Sequence, residues 1–314
     1  MWRNLSQDIK MYRYTYPLRI CDLGGWTDTW FAKKGQVCNL SVLSRLIGST
    51  GQYRGIDIII SQKHSMSSRI TVIAMDSRFD LTIDLTNLKN QSFDHNNLLA
   101  STLSLVDPEL LSHWETEICI MSPIAPGASM GTSASVSVGI LKSFERIRYK
   151  NAEKRVDNQK IAEKGFEVEG KVMNRQTGVQ DQASTAFSYG AHNITIDPYP
   201  HFTVDKIELS PNTISRLNDG LLTVFVGSHD SSDTHKIVIK KLEEDSSELV
   251  RLESLRECAS NASILLKEGN IEKYAKQLSL NTRAQGELHP GLIGTKFQDI
   301  IRFAIKLNHE PMGY

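Results

Sequence analysis

The stretch Pro126-Gly127-Ala128-Ser129-Met130-Gly131-Thr132-Ser133-Ala134 decides how the rest of the chain is read. Before it, Glu117–Met121 is a short apolar run of strand length. After it the residues are small, and then Ile140, Leu141, Phe144 and Ile147 recur at helical spacing. The stretch is therefore a strand-to-helix joint, with glycines where backbone must approach a ligand and hydroxyls at the helix start. Free N–H groups and the positive end of a helix dipole make such a joint receptive to phosphate. The hydroxyl of Thr132 or Ser133 is of the kind that ligates magnesium. The same residues also make an ordinary turn with Thr132 as a helix cap, which requires no ligand.

Toward the N-terminus, Gly55–Ser61 and Val37–Ser49 are apolar and Arg69–Asp84 alternates, which predicts a sheet. Tyr12, Tyr14 and Tyr16 alternate ahead of Pro17 and run into a Gly24–Gly25 turn. Leu98–Val106 reads as a helix. Toward the C-terminus, the polar connection Tyr149–Asn158 leads to a helix ending near Arg175. Strands return after Tyr189–Gly190, including Leu221–Val226, and three helical patterns follow at about 243–268, 271–281 and 294–308. The order of sheet, helices, sheet, helices predicts an α+β fold in two domains, 1–190 and 191–314, with mixed sheets and helices packed on them.

Composition narrows the function classes. The chain has 314 residues, enough for about two domains at the usual size. Lys+Arg and Asp+Glu are both 36, so the formal net charge is zero, and a chain-wide electrostatic grip on nucleic acid or anionic membrane is not expected. No apolar run approaches the roughly 20 residues of a membrane helix. Cys21, Cys38, Cys119 and Cys258 are scattered, as reduced thiols of a cytoplasmic protein would be.

Other segments carry acids. Gly165–Lys171 fits most of a Walker A pattern, but Val172 replaces the required hydroxyl and Glu167 and Glu169 would repel phosphate. Read as a helix, Glu167 has Glu163, Lys164 and Lys171 as its neighbours, a solvated face. Glu169 instead sits among Phe166, Val172 and Met173, so it is the candidate magnesium ligand, against the plainer reading of a carboxylate reaching out to solvent. In Gly178-Val179-Gln180-Asp181-Gln182, Asp181 is either a helix cap or a base for a substrate hydroxyl. Arg19, Gly25, Trp26, Thr27 and Asp28 lie together near a strand end. Asp28 and Trp26 suit a carbohydrate, the carboxylate for hydroxyls and the ring for the C–H face, and a core tryptophan in a tight turn is the structural alternative. His229 to His235 matches no common metal-ligand spacing.

The three segments in order resemble the signature of the GHMP small-molecule kinases, which include galactokinase, homoserine kinase and mevalonate kinase. The phosphate loop is similar to Pro-x-Gly-Ser-Gly-Leu-Gly-Ser-Ser-Ala, with Ala128, Ser129 and Met130 where Ser, Gly and Leu are usual. Arg19 and Asp28 fall in register with the sugar-kinase form Pro-x-Arg-x-x-x-x-Gly-x-x-Thr-Asp. Gly25-Trp26-Thr27-Asp28 is closer to the L-fucokinase and D-glycero-D-manno-heptose kinase branch than to galactokinase. The resemblance implies a site between two domains, with ATP phosphates over the loop Pro126, Gly127, Ala128, Ser129, Met130, Gly131, Thr132 and Ser133. It implies Mg2+ on Ser133 (or Thr132) and Glu169, Asp181 as base with Arg19 beside it, and a sugar on Gly25, Trp26, Thr27 and Asp28. The expected activity is an ATP-dependent sugar 1-kinase acting on a heptose, its 7-phosphate or a fucose-like sugar. A non-catalytic sugar- or nucleotide-binding protein and a mevalonate- or homoserine-type kinase are the alternatives. The family's third Gly-rich motif has no counterpart before Tyr314; 294–308 resembles the helix that precedes it and Gly313-Tyr314 the strand leading in, so the chain is expected to be cut there.

Overall fold

A computed structural model describes residues 9–45, 51–66, 68–74, 79–84, 97–124, 127–227 and 232–307. The strands are β1 (Lys10–Tyr16), β2 (Leu18–Leu23), β3 (Gly35–Val42), β4 (Ile56–His64), β5 (Arg69–Ala74), β6 (Phe79–Asp84), β7 (Trp114–Met121), β8 (Gly190–Ile196) and β9 (Phe202–Ile207). The α-helices are α1 (Leu98–Ser104), α2 (Thr132–Arg148), α3 (Asn158–Glu167), α4 (Gln180–Phe187), α5 (Pro211–Gly220), α6 (Ser232–Glu244), α7 (Arg251–Glu268), α8 (Ile271–Leu288) and α9 (Thr295–Lys306). The fold is α+β with mixed and antiparallel sheets, as the element order predicts.

The chain forms two compact units, neither of them continuous in sequence. The first comprises Met1–Leu18, Leu43–Pro126 and Gly131–Thr177; the second comprises Arg19–Val42, Gly127–Met130 and Gly178–Tyr314. A division after residue 190 therefore differs from the units of the structure. The reason is β-pairing: β3 runs antiparallel to β8, Gly35 to Ser41 facing Ile196 to Gly190. That pairing takes the early segment out of the first unit.

In the first unit the strand order is β1-β4-β7-β5-β6, with β5 parallel to β7 and the other neighbours antiparallel. Alternation puts Ile56, Ile58, Ile60, Val72 and Ile118 on the buried face, where α2 brings Val138, Ile140, Leu141 and Phe144. In the second unit the order is β2-β3-β8-β9. Leu23, Cys38, Leu40 and Ala191 of this sheet share a core with Cys258, Ala259, Ala262 and Leu266 of α7 and Tyr274 and Leu278 of α8. The four cysteines are free thiols. Among the described residues no helix is long and apolar enough to cross a membrane.

Several elements depart from the periodicity reading. Leu221–Val226 is irregular, with Leu222, Val224 and Phe225 exposed; among the described residues no strand pairs with it, and an apolar run becomes a strand only against a neighbour. The helix expected to continue to Arg175 changes type at Val168–Val172, a π-helical turn. The pattern over 243–268 is broken by a 3-10 turn at Ser246–Val250, because Asp245 accepts hydrogen bonds from the Ser247 backbone N–H (2.9 Å) and Oγ (2.6 Å) and starts a new helix end. The expected strand at Gly313-Tyr314 lies outside the described residues, as do His229 and Asp230.

Candidate active site

At the Gly-rich joint, Gly127, Ser129 and Gly131 all adopt left-handed backbone, with φ of 79°, 54° and 66°. Ser129 stands where a glycine is usual and keeps the glycine conformation. Gly131 is the N-cap of α2; no side chain caps this helix and its first turn holds no acid. The N–H groups of that turn are thus left for an anion, reinforced by the helix dipole. Ser133 is exposed and Thr132 half-buried, whereas the next hydroxyl, Ser135, is buried and donates to the Pro17 carbonyl at 2.7 Å. Ala128 and Met130 are half-buried. Pro126 lies outside the described residues.

Glu167 and Glu169 are both half-buried, so burial does not separate them as their sequence neighbours predict. Glu167 pairs with Lys171 at 3.3 Å. Glu169 is half-buried inside the π-helical turn, a local widening that often marks functional sites. Exposed Ser133 and the Glu169 carboxylate are hard oxygen donors of the kind Mg2+ takes. Among the described residues there is no cluster of three or more His, Cys, Asp or Glu side chains placed to hold a metal. Mg2+ is usually bound by one or two carboxylates together with substrate phosphates, so this donor set fits it.

The second unit assembles the charged centre. Arg19 is 8% exposed. Its Nε lies 2.6 Å from Asp181 Oδ1, and its Nη1 pairs with Asp22 Oδ2. Its backbone N–H donates to the Met130 carbonyl at 3.0 Å, and Nη2 to that of Ser129 at 3.4 Å. Asp22 is a residue sequence reasoning missed. Three positions apart, Arg19 and Asp22 would face opposite sides of a regular strand, but Cys21 between them has φ of 58°, which breaks the alternation. Burial pushes the Cys21 thiol up to about 11, so it stays protonated and packs as a small apolar group.

Residues 24–28 form a tight turn held from within and from α8. Thr27 Oγ1 donates to the Gly24 carbonyl at 2.7 Å. Asn281 of α8 accepts from Gly24 N–H at 3.0 Å and donates to the Asp22 carbonyl at 3.3 Å. Gly24 is obligatory, since a Cβ there would lie 2.0 Å from the Gln36 carbonyl oxygen. Trp26 is half-buried, its ring 5.0 Å from the His235 ring in edge contact and 6.4 Å from Phe31. Around Gly25 two glutamines converge: a Cβ at Gly25 would stand 3.8 Å from Gln180 Nε2 and 3.9 Å from Gln285 Nε2. Gln180 Oε1, Gln285 Oε1 and Asp22 Oδ1 are buried with no hydrogen-bond donor among the described residues. Gln180 stands beside Asp181 in sequence; nothing in the sequence points to Gln285.

Asp28 lies against the start of α4. It is 2% exposed, and its Oδ2 accepts from the backbone N–H groups of Val179 (3.0 Å) and Gln180 (3.1 Å). Burial pushes its carboxyl above the ordinary range, with the Asp181 charge adding to the effect and these backbone N–H groups opposing it.

Residues 97–190 match the family model of the GHMP kinases N terminal domain. That segment of the chain is similar to the N-terminal domain of the GHMP kinases. A comparison with curated protein sequences returned no significant match. Among solved structures, the chain is similar to a D-glycero-D-manno-heptose 1-phosphate kinase from Bacteriodes thetaiotaomicron (TM-score 0.61, 16% identity, covering 97% of this chain and 84% of that one). It is also similar to the Methanococcus jannaschii mevalonate kinase (0.63, 15%, 97% and 86%) and to the Lin0012 protein of Listeria innocua (0.68, 13%, 97% and 88%). At these identities the likeness is one of fold.

Proposed function

We propose that the protein is an ATP-dependent sugar kinase that transfers the γ-phosphoryl group of ATP to a sugar hydroxyl, the anomeric one of a heptose, heptose 7-phosphate or fucose-like sugar. The observation that carries this reading is the Asp181 carboxylate held 2.6 Å from a buried Arg19 that Asp22 braces from its other side. A fixed, partly open carboxylate of this kind accepts the proton of an attacking hydroxyl as its oxygen bonds to the γ-phosphorus and the bond to ADP breaks. The backbone of Gly127–Ser133 would receive the phosphates, and Ser133 and Glu169 would hold Mg2+, which supplies neutralisation of the charge developing on them. A hydroxyl-rich acceptor is supported by the donor-poor amide oxygens of Gln180 and Gln285, whose side chains converge on Gly25. The heptose kinase among the structural neighbours is consistent with that acceptor class.

Incubation with ATP, Mg2+ and a panel of fucose, mannose, heptose 7-phosphate, mevalonate and homoserine, reading acceptor-dependent ADP release, tests the proposal. Turnover with a sugar is expected. Turnover with mevalonate or homoserine alone, or binding of sugar and nucleotide without turnover, overturns it. Asp181→Asn is expected to abolish turnover while nucleotide affinity changes by less than about threefold, because the base is used only in the chemical step. Equal loss of both assigns Asp181 a structural role.

A further inference from the structure

The carboxylate of Asp28 does a job that its place in the Gly-Gly-Trp-Thr-Asp segment does not announce. Helix α4 starts at Gln180 with Val179 as its N-cap, and no side chain of its own caps it. The missing cap comes from a residue 151 positions earlier: Asp28 Oδ2 receives the N–H groups of both Val179 and Gln180. Its approach is possible only because residue 178 is glycine. A Cβ at Gly178 would lie 2.1 Å from Asp28 Oδ2 and 2.8 Å from its Cγ. Gly178 is not among the residues with positive φ, so close approach, rather than backbone conformation, is what requires it. Asp181 stands in the first turn of the same helix, and its carboxylate meets Arg19 from there.

We propose that Asp28 is a positioning residue that caps α4 and thereby sets where the Asp181 carboxylate stands, and that it is not a sugar ligand. Gly178 is the second half of the device. The preceding Thr27 anchors the segment, its hydroxyl donating to the Gly24 and Gln36 carbonyls at 2.7 and 3.1 Å. A cap of this kind is local and stiff, so its loss shifts the first turn of α4 more than it shifts the rest of the fold. The inference rests on the proposed role of Asp181 for its catalytic half, and on geometry alone for the capping half.

The test compares Asp28→Ala, Asp28→Asn and Gly178→Ala in the full chain with the best acceptor of the panel. Asp28→Ala is expected to lower kcat by about a hundredfold, the scale of an ångström-sized misplacement, with the KM for sugar changed by less than about threefold. Gly178→Ala should reproduce that loss although Asp28 itself is retained, because the added Cβ pushes its carboxylate off the α4 N–H groups. Asp28→Asn should recover kcat to within about tenfold of wild type, because an amide oxygen caps a helix about as well as a carboxylate. Amide hydrogen exchange at Val179 and Gln180 should accelerate in Asp28→Ala and Gly178→Ala. A large rise in the KM for sugar with kcat kept, an Asp28→Asn as impaired as Asp28→Ala, or unchanged exchange at the two amides overturns the proposal. Should Asp28→Ala fail to fold, the Asn and Gly178 variants carry the same comparison. If the wild-type protein turns over no acceptor, the kinase reading fails, and amide exchange still decides the cap.

Discussion

Ser129 shows how one side chain can be out of character while its backbone is not. Its φ of 54° is the left-handed conformation that costs an L-residue about 1–2 kcal/mol. Ser129→Gly is therefore expected to stabilise the protein by up to about 1 kcal/mol, the gain being partly offset by the greater freedom of glycine in the unfolded chain. Denaturant midpoints at constant slope would measure it, and a loss of stability would show that the serine side chain contributes. His192 makes the opposite kind of case. It is fully buried on β8, between β3 and β9, its Nδ1 3.4 Å from Ser41 Oγ, and burial, with Lys206 adding, pushes its imidazole down to about 4 from the ordinary 6.5. Between those values the unfolded chain binds a proton that the folded one refuses, so stability falls as pH drops from 6.5 toward 4 and levels off below. His192→Gln should flatten that part of a stability–pH profile; an unchanged slope would place its origin elsewhere.

At the scale of elements, packing sets limits that propensity does not. Gly139 lies in the middle of α2, where alanine would ordinarily favour the helix by about 1 kcal/mol. A Cβ there would sit 2.6 Å from Ile58 Cδ1 and 2.8 Å from Tyr16 Cδ2, on the buried faces of β4 and β1. Overpacking of this sort costs about 1–3 kcal/mol, so Gly139→Ala should be net destabilising in urea or thermal unfolding. Tyr16 has little room to give way, being buried with its hydroxyl 2.8 Å from Ser143 Oγ. The π-helical turn at Val168–Val172 is another feature of this scale. It interrupts a helix that periodicity alone would carry through, and it holds the candidate metal ligand Glu169.

For the whole molecule the balance of 36 basic and 36 acidic residues excludes a general attraction for anions. Phosphate recognition would come instead from the uncapped first turn of α2, which needs no net charge. A non-hydrolysable ATP analogue with Mg2+ at a hundred times its Kd should then raise the unfolding free energy by about 2.7 kcal/mol, read as a shift in melting temperature. The same nucleotide without Mg2+ should shift it less at equal concentration. No shift under either condition would remove the nucleotide from the proposed function.

The sequence by itself determined what depends on near neighbours. Alternation in Ile56–Ile60, the 3.6-residue recurrence in α2 and the Gly-rich joint are all properties of residues within a few positions of each other. The α+β class followed from them. Only the tertiary structure decided what distant segments do to one another. Asp28 reaches α4 across 151 positions and Asn281 reaches the Gly24 turn across 257, and neither partner marks the other in the sequence. Asp22 joins Arg19 because one left-handed residue turns it, and the units are discontinuous because β3 pairs with β8. A buried carboxylate must find donors, and which donors it finds is settled by the packing that buries it.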